Sequence, residues 1–260
     1  MMDPSIDLNL IQLASAYIFV IILLFIVRQR GIKREGQILL ASFRMTLQLV
    51  LVGYILVYIF DNPSPFYTVI VILLMEVFAI FNIFSRVNED ISSSLKKVIA
   101  VSMVVGTVSS MLYFLFIVIR ITPWYNPRYF IPITGMLIGN SMTGISLGVS
   151  RLISGIQSNK NQVESALMLG ATPKVSVKKI VNDSFDAAIL PTINSMLGMG
   201  IVFLPGMMTG QILAGLSPIS AIKYQIAIML GILGSVSLTV IIFVNLGYKT
   251  FFNDDSQLNI

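Results

Sequence analysis

Long apolar stretches alternate with short polar connections along the whole chain. A transmembrane helix needs roughly 20 apolar residues, and seven stretches come close to or exceed that length. They cover about residues 8–27, 37–60, 66–85, 98–120, 132–150, 190–212 and 221–246. The pattern predicts an all-α polytopic membrane protein with about seven transmembrane helices. The fifth and sixth stretches are the weakest, because Gly, Asn, Ser, Thr and Pro interrupt them.

Basic residues are concentrated in every second connection. The connections at 28–36, 86–97 and 151–189, together with the C-terminal tail, hold thirteen of the 17 Lys and Arg residues. Cytoplasmic loops of membrane proteins carry such an excess. We therefore expect an N-terminus outside and a C-terminus in the cytoplasm of a multi-pass protein of the cell (plasma) membrane. The first stretch is too long for a signal peptide and is predicted to be a retained span.

The composition excludes several classes of protein. Hydrophobic residues make up 56% of the chain and charged residues 11%, against roughly 25% charged in soluble domains. The chain has no Cys and no His, which rules out Cys/His zinc sites and nucleophile pairs that use either residue. Glu76 is the one carboxylate clearly inside a span, so aspartyl-type chemistry is also disfavoured. We expect a protein that is not an enzyme and does not bind nucleic acid.

The longest polar connection, at about residues 155–190, has the pattern of two helices joined by a sharp turn. Residues 161–169 are predicted to form a short helix that ends at Gly170. Thr172 can cap the next helix, with Pro173 at its first position. Apolar residues at i, i+4 spacing make that second helix amphipathic: Val177, Val181, Phe185 and Ala188. The segment is either a helix lying on the membrane surface or a docking element for a cytoplasmic partner.

Polar residues inside the apolar stretches are candidates for a translocation path, because charge at bilayer depth is costly. Arg44 and Glu76 lie at similar depths in the second and third stretches and could form an ion pair. Alternatively, Arg44 extends to the interface and Glu76 is a neutral packing residue. Gly-x-x-x-Gly units in the fifth stretch predict close helix packing. The path candidates are Arg44, Gln48, Glu76, Asn140, Asn194, Met207, Met208 and Gln211.

The sixth stretch carries Pro205 and Gly206 in its outer half, a pair that should break or kink a helix. Broken helices recur at transporter binding sites, although a simple kink or a re-entrant turn is an alternative. Four methionines gather in this stretch: Met196, Met199, Met207 and Met208. Thioethers suit Cu(I) and other soft metals, but Met is also a common core filler. Any metal ligands are unknown from the sequence.

Three segments resemble the FetB-type ABC transporter permease family: residues 132–142, 164–173 and 204–215. The resemblance covers essentially the whole chain and implies a single permease domain over residues 1–260. It implies a permease homodimer that works with a separate cytoplasmic ABC ATPase subunit, to which ATP and Mg²⁺ bind. Bacterial members imply export of iron or related metal ions. Plant relatives, linked with aluminium tolerance, imply a non-metal cargo such as a nucleotide sugar.

The connection at 155–190 carries the part of the resemblance that concerns the ATPase. Its spacing is similar to the coupling loop of ABC permeases, although the Ile-x-Leu-Pro that usually follows the glycine is missing there. The matching residues are Glu164, Ala166, Gly170, Ala171, Thr172 and Pro173. The chain has no Gly-x-x-x-x-Gly-Lys-[Ser/Thr] phosphate-binding loop, so a separate subunit would have to hydrolyse ATP. The alternative is an ATP-independent secondary carrier or channel.

Overall fold

Six helices are long enough and apolar enough to cross a membrane in the computed structural model, which describes residues 9–87 and 91–259. Within these residues the regular secondary structure is helical, with no β-strand. The six are Leu10–Gln29, Glu35–Asp61, Pro65–Arg86, Ser93–Ile119, Pro127–Ser158 and Pro218–Phe251. The all-α membrane fold is confirmed, whereas the count of seven and the orientation stay predictions. The predicted start of the first span, at residue 8, lies outside the described residues.

The described chain divides into two units, and the first comprises residues 9–62 with Leu213–Gly215. Its helices are α1 (Leu10–Ser15), α2 (Ile18–Gln29) and α3 (Glu35–Asp61). α2 packs against α3, and the Tyr17 hydroxyl is hydrogen-bonded to the Thr46 hydroxyl. Nearly all the apolar side chains of these helices are exposed, as expected of a surface that is solvated by lipid.

The remaining helices form most of the second unit, which comprises Pro63–Ile212 and residues 216–259. They are α4 (Pro65–Arg86), α5 (Ser93–Tyr113), α6 (Pro127–Ser158), α7 (Lys160–Met168), α8 (Pro173–Ser176), α9 (Lys178–Gly198), α10 (Gly206–Leu213) and α11 (Pro218–Gly247). A π-helical segment, Phe114–Ile119, extends α5, and a 3₁₀ turn, Tyr248–Phe251, extends α11.

α11 is central to the second unit and packs against α5, α6 and α9, while α6 also packs against α4 and α5. The buried residues recur at helical spacing, which places them on one side of each helix. On α6 they include Ile145, Val149 and Leu152, and on α11 Val236, Val240 and Phe243. Together these buried residues form the core of the second unit.

Glycines allow the helices of this core to approach closely, as predicted for the fifth stretch. A Cβ atom on Gly144 would lie 2.8 Å from Val236 Cγ1, and one on Gly148 would lie 3.6 Å from Ala188 Cβ. Gly139, in contrast, has no neighbouring atom within 4 Å of that position. Only part of the predicted glycine surface therefore packs within this unit.

Hydroxyl groups are paired across the same interface. The Ser141 and Ser235 hydroxyls lie 2.9 Å apart, and the Thr239 hydroxyl, which donates to the Ser235 carbonyl oxygen, lies 3.4 Å from Ser141 Oγ. All three residues are buried. Such bonds let polar side chains be buried between apolar helices without leaving donors and acceptors unsatisfied.

The fifth and sixth predicted stretches differ from the observed helices. α6 has 32 residues, about 48 Å at 1.5 Å per residue, so it is longer than a hydrocarbon core of roughly 30 Å. The sixth stretch is not one helix. Its first part is the end of α9, which continues through Pro191, and its last part is α10. The predicted break is confirmed, and the broken segment lies between Gly198 and Gly206.

Candidate functional site

The broken segment, residues 199–205, reverses locally through a glycine in the left-handed region. Gly200 has φ +86°, a conformation that favours glycine. Its N–H donates to the Phe203 carbonyl oxygen at 2.9 Å, and the Val202 N–H donates to the Gly198 carbonyl oxygen at 2.9 Å. α10 then begins directly after Pro205. The glycines and the proline thus replace helical hydrogen bonds by a compact local turn.

A cavity of about 370 Å³ lies beside the broken segment. We call it the methionine cavity, because its lining includes Met196, Met199, Met208 and Met229. Gln225, which is buried, is the main polar side chain there. Its Nε2 donates to the sulfur of Met199 at 3.7 Å. Methionines from α9, α10, α11 and the broken segment therefore border the cavity together with one amide.

Three of these methionines belong to the cluster predicted from the sequence, whereas Met229 and Gln225 were missed. Both missed residues lie on α11, four residues apart and on one side of the helix. A glutamine inside the long apolar stretch 221–246 was the available signal. Its relation to the sixth stretch depends on tertiary packing, which no local pattern encodes.

The other path candidates occupy different positions. Four of them are exposed in the single chain: Arg44 and Gln48 on α3, Asn140 on α6 and Asn194 on α9. Asn140 donates to the Met136 carbonyl oxygen of its own helix at 2.8 Å. On α10, Met207 is half-buried, and Gln211 Oε1 is buried without a hydrogen-bond partner. Of this set, Met208 alone lines the methionine cavity, so a path through the other residues stays a prediction.

Glu76 is 7% exposed on α4 and contacts Thr107 on α5. The Thr107 hydroxyl lies 3.1 Å from each carboxyl oxygen of Glu76 and 2.7 Å from the Met103 carbonyl oxygen. A hydroxyl has one hydrogen and cannot donate it to both groups at once. Either the Thr107 hydroxyl donates to Glu76, or it donates to the Met103 carbonyl oxygen and accepts from a neutral Glu76. The Arg44–Glu76 ion pair stays a prediction, because Arg44 belongs to the other unit.

Glutamine should replace Glu76 with little loss, because its side-chain amide can accept a hydrogen bond from Thr107 or donate one to it. We expect Glu76→Ala to destabilise the protein by about 1–3 kcal/mol, through the lost hydrogen bond and packing, and Glu76→Gln by less than about 1 kcal/mol. Thermal unfolding of both variants in mild detergent measures the difference. If Gln is as damaging as Ala, and Arg44→Gln adds nothing further, the ion pair is supported and the neutral carboxyl group is not.

The turn between α7 and α8 is closed by a helix C-cap. Gly170 has φ +89°, its N–H donates to the Leu167 carbonyl oxygen, and the Ala171 N–H donates to the Ala166 carbonyl oxygen. These two bonds define a Schellman motif, so Gly170 ends the helix as predicted. Thr172 is the N-cap residue, with Pro173 at the first helical position, although the Thr172 side chain makes no capping hydrogen bond.

This turn exposes two apolar side chains. Met168 is 85% exposed and Leu169 is 89% exposed. Val163 on α7 and Val177 before α9 are buried on either side, and Glu164 pairs with Lys160 at 3.9 Å. We call Met168–Pro173 the projecting turn. Four polar residues of α8 and α9 are exposed as well: Lys174, Lys178, Asn182 and Asp186.

Long apolar helices, a broken helix beside a cavity and a structured polar loop define a multi-pass α-helical membrane protein. The chain matches the model of UPF0014, an uncharacterised protein family, over residues 10–252, and it belongs to that family. No solved structure matches the chain.

Three relatives match nearly the full chain. The UPF0014 membrane protein slr1647 of Synechocystis sp. is 38% identical over 88% of each chain. The UPF0014 membrane protein YjkA of Bacillus subtilis is 36% identical over 96% of this chain and 98% of its own. The probable iron export permease protein FetB of Escherichia coli is 34% identical over 95% of this chain and 93% of its own. The resemblance to FetB-type proteins is confirmed.

Proposed function

We propose that this chain is the permease subunit of an ABC-type exporter, driven by a separate cytoplasmic ATPase subunit. The full-length similarity to a protein named a probable iron export permease supports the transport role. The sequence has no phosphate-binding loop, which supports ATP hydrolysis by a partner. Two permease chains would pair to match two ATPase subunits.

The projecting turn is the observation that carries this proposal. Met168 and Leu169 are almost fully exposed at the end of a capped helix, and exposed apolar clusters mark protein or membrane contacts. The Schellman motif and the buried Val163 and Val177 hold the cluster in a fixed position. A carrier that works without ATP has no use for such a docking element on the predicted cytoplasmic side.

α9 provides a direct mechanical connection from this turn to the methionine cavity. It is one continuous helix from Lys178 to Gly198, about 30 Å long at 1.5 Å per residue. Its first turns follow the projecting turn, and its last turn carries Met196 into the cavity. A displacement of the turn by a closing ATPase would therefore move the cavity wall, as alternation between inward and outward access requires.

We propose iron or a related metal ion as the cargo, with a non-metal cargo such as a nucleotide sugar as the competing case. In the described ranges, 9–87 and 91–259, no group of three or more Asp or Glu side chains could hold a metal ion. A metal would therefore meet amides, hydroxyls, carbonyls and thioethers. Ligands of this kind favour brief coordination, which suits an ion in transit.

Transport in inside-out membrane vesicles tests the proposal. Vesicles from the native host should accumulate radioactive iron when ATP is present and the chain is expressed. Vesicles that lack the chain, or that receive a non-hydrolysable ATP analogue, should not. Equal chain-dependent accumulation with and without ATP would contradict the ATP-driven mechanism. ATP-dependent uptake of a labelled nucleotide sugar in place of iron would contradict the metal cargo alone.

A further inference from the structure

The methionine cavity is assembled by tertiary structure from four separate segments. Met196 lies in α9, Met199 in the broken segment, Met208 in α10 and Met229 in α11. Met208 and Met229 are buried, whereas Met196 and Met199 are half-buried. The four side chains thus border one space, although they are up to 33 residues apart along the chain.

These methionines border an open pocket and also contact the core. The pocket, of about 370 Å³, is open to the surface of the single chain, and it is much larger than the roughly 30 Å³ that one water occupies in the liquid. Met103 on α5 shows the contrasting role, because it is fully buried in the core and does not border the cavity. Core packing therefore accounts for part of this cluster, and the pocket beside it leaves room for a ligand.

The donor atoms of the lining define the chemistry that the cavity can recognise. It contains no carboxylate, and its side-chain donors are the four thioethers and the Gln225 amide. Hard cations such as Mg²⁺ and Ca²⁺ require oxygen ligands, many of them charged. Thioethers select soft ions, Cu(I) above all. A single positive charge also costs less to transfer into an uncharged apolar site than a multiple charge does.

We propose that the methionine cavity binds a soft monovalent metal cation, Cu(I) or Ag(I), through thioether sulfurs. Gln225 on α11 positions the site, because its amide donates a hydrogen bond to the Met199 sulfur. Transport of this ion, beside the proposed iron cargo, rests on the proposed exporter, but binding by the purified chain is independent of it. Movement of α9 would shift Met196 relative to Met229 on α11, which would provide a means of release.

Silver binding to the purified full chain in detergent tests the site. Ag(I) in chloride-free buffer is the probe, and the readouts are bound silver per chain and the NMR signals of ¹³C-labelled methionine methyl groups. We expect one tightly bound Ag(I) per chain, which shifts the signals of the four cavity methionines among the fourteen in the chain. Fe²⁺ should leave these four signals unchanged.

Methionine-to-leucine variants provide the matched control, because leucine keeps the size and apolar character of the side chain but removes the sulfur. The double variant M199L/M229L should bind Ag(I) at least tenfold more weakly. M103L, in the core, should bind it as the wild type does. Wild-type protein that binds no Ag(I), or a double variant with unchanged affinity, would overturn the proposal.

The two proposals fail separately in these experiments. Silver binding needs neither the ATPase nor ATP, so its absence beside ATP-dependent iron accumulation would reject the thioether site and leave the exporter in place. Tight silver binding by a chain that transports without ATP would reject the exporter and leave the site.

Discussion

Gly106→Ala is expected to destabilise the folded protein by about 3 kcal/mol, because the added methyl group overpacks the contact between α5 and α11. An added Cβ would lie 2.6 Å from Thr239 Cα and 2.9 Å from Thr239 Cβ. The first of these atoms is backbone of the central helix α11, which cannot move aside without disturbing its contacts with α6 and α9. The loss would be a large part of a typical folding free energy of roughly 5–15 kcal/mol.

Thermal unfolding in detergent measures this effect, with Gly139→Ala as the control. Gly139 also lies inside a helix, but no atom lies within 4 Å of its added Cβ position. Alanine there should be neutral or should stabilise α6 by up to about 1 kcal/mol, the difference in helix propensity. Equal unfolding temperatures for the two variants would contradict the close α5–α11 contact.

The sequence could not distinguish these two glycines. Both lie in apolar stretches next to other small residues. Whether a glycine meets another helix depends on how each helix is rotated about its axis, and residues from distant parts of the chain determine that rotation. The same limit applies to the methionine cavity, where Met196 and Met199 are close in sequence but Met229 arrives from α11.

Features encoded locally were predicted more successfully. Runs of apolar residues specify membrane helices, because the bilayer fixes their length. Gly170 ends α7, because the left-handed conformation at its position suits glycine. Pro205 and Gly206 predicted a break, although the irregular segment begins earlier, after Gly198. Pro191, in contrast, lies within α9, which shows that packing can offset the hydrogen bond that a proline removes.

Replacing Met168 and Leu169 together by glutamate is expected to remove the ATPase from the purified permease. Both side chains are almost fully exposed, so their substitution should change folding stability by less than about 0.5 kcal/mol per site. In the proposed complex, two carboxylates would replace apolar contacts with the ATPase. Loss of a central contact costs about 2 kcal/mol or more, which corresponds to a roughly 30-fold lower affinity.

Affinity purification of the tagged chain, followed by quantitative mass spectrometry of the ATPase, measures this loss. Ile32→Glu is the control, because Ile32 is also an exposed apolar residue in a connection predicted to be cytoplasmic. That variant should retain the ATPase at the wild-type level. If M168E/L169E retains it as well, the docking surface lies outside the projecting turn.

The ratio of ATPase to wild-type chain in this purification is the decisive quantity for an exporter built from separate subunits. For such an exporter we expect a soluble ATP-binding protein to co-purify with the chain from its native host in mild detergent, at one ATPase per permease. A wild-type chain that is monodisperse, carries no ATPase and moves its cargo across liposome membranes without ATP would contradict the proposed exporter.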